Sequence, residues 1–287
     1  MKSSSVADIL KYHNDVRFPS SDAHKGENGK LFIVGGSALF HSASAWSLQV
    51  ASRIVDMVFY SSVPSNNHLL LEAKRFFWDG IVVPRDEILN YIDEADVVLI
   101  GPGMERQDGA RTQQSKSEQI DWDGDTYGIT NALVRAYPQK KWVIDAGALQ
   151  MIDPSLLTNT MILTPHTREF ERVFGIANPT AEDIQAVSHA HNNCTIVVKG
   201  AVDVIAQEHV VEQVEGGNAG MTKGGTGDVL AGLIASVYCF NTAFLSSVVG
   251  SWVNKRAGDR LFAQFGPFYN ATQLADEVTR VLWETVR

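Results

Sequence analysis

Eight short apolar runs, each closed by glycine, proline or a polar turn, limit what this chain can fold into. They read LFIVGG (31–36), MVFYSSV (57–63), DGIVVP (79–84), DVVLIGPG (96–103), KWVIDAG (141–147), NTMILTPH (159–166), NCTIVVKG (193–200) and VDVIAQ (202–207). Their Val, Ile and Leu residues follow one another instead of alternating with polar groups, which is the pattern of strands buried on both faces of a parallel sheet. Between them the spacing predicts helices over 42–55, 86–94, 128–137, 181–192, 228–240 and 243–263. Strands alternating with helices define a layered α/β fold. The polar stretch 105–127 has no such period and reads as a surface excursion.

Composition narrows the function classes. A net charge of −9 over 287 residues gives no basic face with which to displace counterions, so a nucleic-acid partner is not expected. Local backbone amides can still bind phosphate on an acidic protein. Cys194 and Cys239 form no disulfide framework, which suits a reducing cytoplasm. No apolar stretch reaches the roughly 18–20 residues of a membrane span, and the first residues show no signal-peptide pattern.

In sheets of this kind ligands gather at the carboxyl ends of the strands. The residues that follow the runs are Gly35-Gly36-Ser37, Gly101-Pro102-Gly103, Asp145, Thr164-Pro165-His166 and Lys199-Gly200. Any one of them is ordinary turn chemistry; together they outline a polar, phosphate-sized cleft. The strongest signal is GGNAGMTKGGTGDVLAGLIA, 216–235. Gly224, Gly225 and Gly227 let amides converge at the start of an apolar helix whose positive end attracts an anion. Asp228 at that position is an N-cap or a base. A carboxylate inside an anion hole opposes its ligand's charge unless it takes a proton from an attacking hydroxyl, which favours the base. Neither GxxxxGK[ST] nor GxGxxG occurs, so neither a P-loop kinase nor a Rossmann dehydrogenase is expected.

The motif GGxxGMxxGGTGDVLAGxIA, with TPHxxEF (164–170), KGAVDVI (199–205), HKGENGKLFIVGGS (24–37) and GPGM (101–104), resembles the ADP/ATP-dependent NAD(P)H-hydrate dehydratases over about residues 20–285. The resemblance implies a ribokinase-like three-layer α/β/α sandwich with a mostly parallel central sheet, forming one domain over 1–287. In that family ADP or ATP phosphorylates the hydroxyl of hydrated NADH or NADPH, and loss of phosphate restores the dihydronicotinamide. By the resemblance Asp228 is the base, and the amides of Gly225, Thr226 and Gly227 form the anion hole. Lys199, Gly200, Ala201, Val202 and Asp203 line the adenine-nucleotide site with Gly227. Ala43, Gly103 and His166 touch the hydrated dinucleotide, and Glu169 helps organise Mg²⁺ and its waters. A homo-oligomer, tetrameric in many relatives, is implied by analogy, and no room is left for the epimerase domain that some relatives carry.

The chain departs from the family pattern at Ser42-Ala43, where Gly-Ala is usual, and at DAGALQ, where Gly147 and Gln150 replace a DADGLN-like run. The segment IVDMVFYSS also lacks a Gly-rich turn. Two rival functions share the glycine loop: a vitamin-precursor kinase, which would release a stable phosphorylated product, and a nucleotide-binding protein without turnover.

Overall fold

The computed structural model describes residues 12, 15–19, 22–106 and 121–285. In chain order the elements are β1 (Lys30–Val34), α1 (Ser42–Ala51), β2 (Met57–Ser61), α2 (Pro64–Ala73), β3 (Ile81–Val82), α3 (Ile88–Tyr91), β4 (Val97–Ile100), α4 (Thr126–Ala136), β5 (Lys141–Ile144), α5 (Ala146–Met151), β6 (Met161–Leu163), α6 (Thr167–Phe174), α7 (Ala181–Ala190), β7 (Thr195–Val198), β8 (Asp203–Gln207), β9 (Val210–Val214), α8 (Thr226–Tyr238), α9 (Ala243–Phe265) and α10 (Ala271–Thr285). One nine-stranded sheet has the order β3-β2-β1-β4-β5-β6-β7-β8-β9. Strands β1 to β7 are parallel, and β8 and β9 add an antiparallel hairpin at one edge.

The apolar runs explain the layers. Phe32, Val34, Val98, Ile100, Trp142 and Ile144 face one side, against α3 to α7. Their sequence neighbours Leu31, Ile33, Val97, Leu99 and Val143 face the other, against α1, α8 and α9. Both faces are therefore dry, as continuous apolar strands require. Outside α1, α8 and α9 lies α10, whose Leu274, Val278, Val281 and Leu282 close a second, purely helical core.

All eight expected strands form, and β9 joins them. The expected helix over 86–94 is instead a short α-turn, α3, between two 3₁₀ turns, Arg85–Glu87 and Ile92–Glu94. Helices α2, α5, α6 and α10 were not legible from periodicity. The Asp125 carboxylate caps α4 by accepting from the Gly128 amide, so that helix starts two residues before the expected 128. Of the excursion 105–127, residues 107–120 lie outside the described residues. Among the described residues no helix is long and apolar enough to cross a membrane.

Candidate active site

The carboxyl ends of β1 and β4 interlock: the Gly36 amide donates to the Pro102 carbonyl at 2.7 Å. Arg85, 5% exposed, fastens this corner by donating through Nη2 to the Gly35 and Gly36 carbonyls, at 2.8 Å each. Its Nη1 donates to the Trp122 carbonyl. Burial pulls the Arg85 pKa down to about 10, which still leaves it charged. Ala43, in the first turn of α1, faces Gly103 across this corner.

At the ends of β5, β6 and β7 a charged cluster forms. Lys199 Nζ donates to Asp145 Oδ1 at 2.9 Å, and Thr164 Oγ1 donates to the same oxygen at 2.7 Å. Asp145 is 2% exposed, so this pair fixes the ammonium. Next to it His166 caps α6: its Nδ1 accepts from the Arg168 and Glu169 amides at 3.2 Å. Glu169 completes the capping box by accepting from the His166 amide at 2.9 Å. With Nδ1 acting as acceptor, the neutral ring carries its proton on Nε2. Gln150 Nε2 donates to Glu169 Oε1 at 3.2 Å, so Gln150, one of the departures from the family pattern, positions that carboxylate. Gly147, the other, is required by close approach: a Cβ there would lie 2.0 Å from the Met104 carbonyl oxygen.

Asp228 sits in the first turn of α8, and its backbone carbonyl accepts from Ser47 Oγ on α1 at 2.8 Å. Burial, reinforced by the charge of Asp145 and partly opposed by Lys199, pushes its carboxyl up to about 7. Burial likewise raises Glu169, against the pull of Lys199. Lys199 goes the other way: burial acts to lower it, but Asp145, Glu169 and Asp228 outweigh burial and hold the ammonium charged. One cation among three carboxylates is a proton-balanced cluster, and Asp228 is the member poised near neutrality.

The glycine loop divides its duties. Thr226 Oγ1 donates to the Met221 and Lys223 carbonyls, bracing the turn. The amides of Gly225 and Gly227 have no acceptor among the described residues. Gly227 lines a cleft of about 750 Å³ that also takes in His166, Lys199, Gly200, Ala201, Asp203 and Thr226. That volume is of the size that holds a nucleotide. Gly225 does not line it. Its φ is +95°, and a Cβ would strike Trp46 and Ala271 at 2.5–2.6 Å, pointing into the packing of α1 and α10. Val202 is 38% exposed, and its side chain is not among those lining the cleft. Asp203 is buried: it accepts from the Gly200 amide at 2.9 Å and pairs with Lys255 at 3.3 Å.

Sequence reasoning did not find Arg85, Gln150, Ser47, Asn254 or Lys255. Lys255, within an apolar helix, carried the only readable signal, a cation where the period calls for a buried group. Its Nζ donates to the Gly200, Ala201 and Gly216 carbonyls. Among the described residues no three His, Cys, Asp or Glu side chains form a metal cage. Asp145 and Glu169 beside a phosphate-sized cleft fit the other way of holding Mg²⁺, through one or two carboxylates, retained waters and the phosphates themselves.

A mostly parallel sheet with ligand groups at its carboxyl edge, and a glycine loop leading into a helix that starts with an acid, define the ribokinase-like class of α/β proteins. The fold overlays on the ADP/ATP-dependent NAD(P)H-hydrate dehydratase from Bacillus subtilis co-crystallized with ATP/Mg²⁺, with a TM-score of 0.75 at 21% identity, covering 96% of this chain and 97% of that one. The NAD(P)H-hydrate dehydratase family model matches residues 31–280, and the chain belongs to that family. It is 35% identical over 274 residues to the bifunctional NAD(P)H-hydrate repair enzyme Nnr of Methanocaldococcus jannaschii, covering 93% of this chain and 50% of that protein. It is 29% identical to the ADP-dependent (S)-NAD(P)H-hydrate dehydratase of Cenarchaeum symbiosum, covering 91% of each. The chain spans about half the length of the bifunctional relatives it matches.

Proposed function

We propose that this chain, acting as one unit, is an ADP- or ATP-dependent dehydratase that returns hydrated NADH or NADPH to the reduced cofactor. The observation that carries the reading is Asp228, a carboxyl pushed up to about 7 beside two unoccupied amide donors of the glycine loop, at the mouth of a nucleotide-sized cleft. A group with that pKa accepts a proton from a substrate hydroxyl at neutral pH. The hydroxyl oxygen then attacks the terminal phosphorus; the new P–O bond forms as the bond to the nucleotide's leaving oxygen breaks. In the second stage the substrate's C–O bond breaks, inorganic phosphate leaves, and a neighbouring C–H gives up its proton to close the ring double bond.

The protein's share is positioning and charge. The amides of Gly225 and Gly227 and the Lys199 ammonium face the phosphates; Asp145 and Thr164 hold Lys199 in place. Gly200 and Ala201 flank the nucleotide on one side, with Asp203 as the brace behind them and Val202 at the rim. Ala43 and Gly103, with the exposed Nε2–H side of His166, accept the hydrated dinucleotide. A Mg²⁺ ion bound with the phosphates would neutralise developing charge, and Glu169 would hold its waters. The free thiols of Cys194 and Cys239 support a reducing, cytoplasmic setting. Phe76 and Trp78, 92% and 78% exposed next to the β3 edge, support assembly into a homo-oligomer.

The test mixes the protein with hydrated NADH, Mg²⁺ and ADP or ATP, and follows reduced-nicotinamide absorbance. Recovery that requires nucleotide is the expected result, and the faster nucleotide is the donor. Nucleotide binding without recovery would replace this reading with a vitamin-precursor kinase or a binding protein.

A further inference from the structure

The polar side chains that line the 750 Å³ cleft can be accounted for one by one. Lys199 is held by Asp145, and Asp203 by Gly200 and Lys255. Thr222 and Thr226 donate to backbone carbonyls. Asn218 accepts from the Gly220 amide and Tyr269 Oη and donates to Asp259. Lys255 is spent on three carbonyls. Asn254 is the exception. It lines the cleft and is 4% exposed, yet its Oδ1 is buried without a partner. Its side chain makes no hydrogen bond to another described residue. Turning the amide over exchanges oxygen for nitrogen and leaves the position equally unpaired.

A buried carboxamide without partners destabilises a fold unless a ligand completes it. Its placement says which part of a ligand does so. The phosphate end of the cleft is fixed by Gly227 and Lys199. Asn254 lies on α9, one residue from the lysine that holds down the 200–201 and 216 loops, and shares its part of the cleft wall with Leu230, Ala201 and Met221. An apolar wall with one donor–acceptor amide suits a flat heterocycle that offers a donor beside an acceptor. Adenine offers N6–H beside N7 or N1, whereas a 6-oxo purine offers no donor at position 6.

The geometry points to Asn254 as the residue that reads the nucleobase, pairing its carboxamide with the 6-amino edge of adenine. This rests on the reading of the cleft as the nucleotide site. Asn254 thereby selects adenine over 6-oxo purines, while the glycine loop and Lys199 bind phosphates whatever base is attached.

The experiment is calorimetric titration of the full chain with Mg²⁺ and three probes: ADP, purine riboside diphosphate (which lacks only the 6-amino group) and pyrophosphate. With the natural residue, removal of the 6-amino group weakens binding about tenfold. In Asn254→Leu, which keeps the side chain's volume, ADP weakens to the level of its deaminated analogue and the difference vanishes, while pyrophosphate binds as before. That coupling between one side chain and one ligand group is a readout that a merely structural role would not give. Equal affinities for ADP and the analogue in the unaltered protein overturn the assignment of Asn254, even if the variant fails to fold, and so does a tenfold difference that survives in the variant. Failure of ADP and pyrophosphate alike to bind would overturn the nucleotide-site reading itself, and the assignment with it.

Discussion

Lys199 and Asp145 are joined at 2.9 Å across the carboxyl ends of two strands separated in the sheet by β6, with Thr164 of the intervening segment donating to the same carboxylate oxygen. The ion pair thus ties three consecutive strand ends together and orients the one cation beside Asp228. Because Asp145 is nearly buried, removing its charge leaves the ammonium without its main partner. It also removes a negative charge that acts on Asp228.

Asp145→Asn therefore has a signed consequence. Asp145 raises the Asp228 pKa and Lys199 lowers it. Neutralising Asp145 removes the first influence and leaves the second, so the Asp228 pKa falls. The acidic limb of the pH profile of kcat/KM moves to lower pH in the variant, and the maximal rate drops because Lys199 is no longer aimed. A profile of unchanged midpoint would show that the two carboxylates do not communicate.

In the unaltered protein kcat/KM rises with pH up to about 7 and then levels, since Asp228 acts only when deprotonated. Asp228→Asn removes this limb and lowers turnover by about 10²–10⁴-fold, the usual worth of a general base, while nucleotide binding persists. Stability moves oppositely. A carboxyl whose folded pKa lies above its unfolded value holds its proton more tightly when folded, so folding weakens as pH rises from about 4 to 7. Asp228→Asn consequently raises Tm more at pH 8 than at pH 5, on the order of 1–2 kcal/mol. Equal stabilisation at both pH values would contradict the raised pKa.

The departure at Gly147 gives a prediction against the family pattern. Restoring the acid, Gly147→Asp, drives a side chain toward the Met104 carbonyl, where a Cβ would stand at 2.0 Å. The GPGM turn must then shift, at a cost of about 2 kcal/mol or more. Circular-dichroism melting should show the loss together with weaker activity. A variant of unchanged Tm would mean that the turn has room to move.

Much of this site was legible because it is built from strand ends. A both-face-buried strand must be apolar until it leaves the sheet, so the first polar residue after each run marks the ligand edge. Asp145, His166, Lys199 and the glycine loop were all found that way. What escaped acts from helices or across the chain. Lys255 and Asn254 occupy a helix whose other residues are packed, and their spacing resembles that of any core-facing pair. Gln150 meets Glu169 only after two turns have folded. Helix α10 covers other helices and not the sheet, so no strand brackets it. Asp203 shows the limit of motif reasoning: it lies in the expected segment, but its carboxylate braces the loop from below.

Gly225 supplies the sharpest case of a right residue with a different reason. From sequence, a side chain there is expected to fill the anion hole. In the structure the Cβ vector leads away from the cleft to Trp46 and Ala271, and the backbone is left-handed at φ +95°. Gly225→Val therefore strains the backbone and separates α8 from α1 and α10, destabilising the fold by roughly 2–4 kcal/mol. Loss of activity should track loss of folded protein. Whatever fraction remains folded at low temperature should bind pyrophosphate with an affinity reduced only as far as the loop has been displaced. Melting curves recorded with and without pyrophosphate separate the two causes. A large ligand-induced rise in Tm for the variant supports the packing role, because binding to the folded state adds stability. An unchanged ligand-free Tm with no response to pyrophosphate would return the residue to the anion hole.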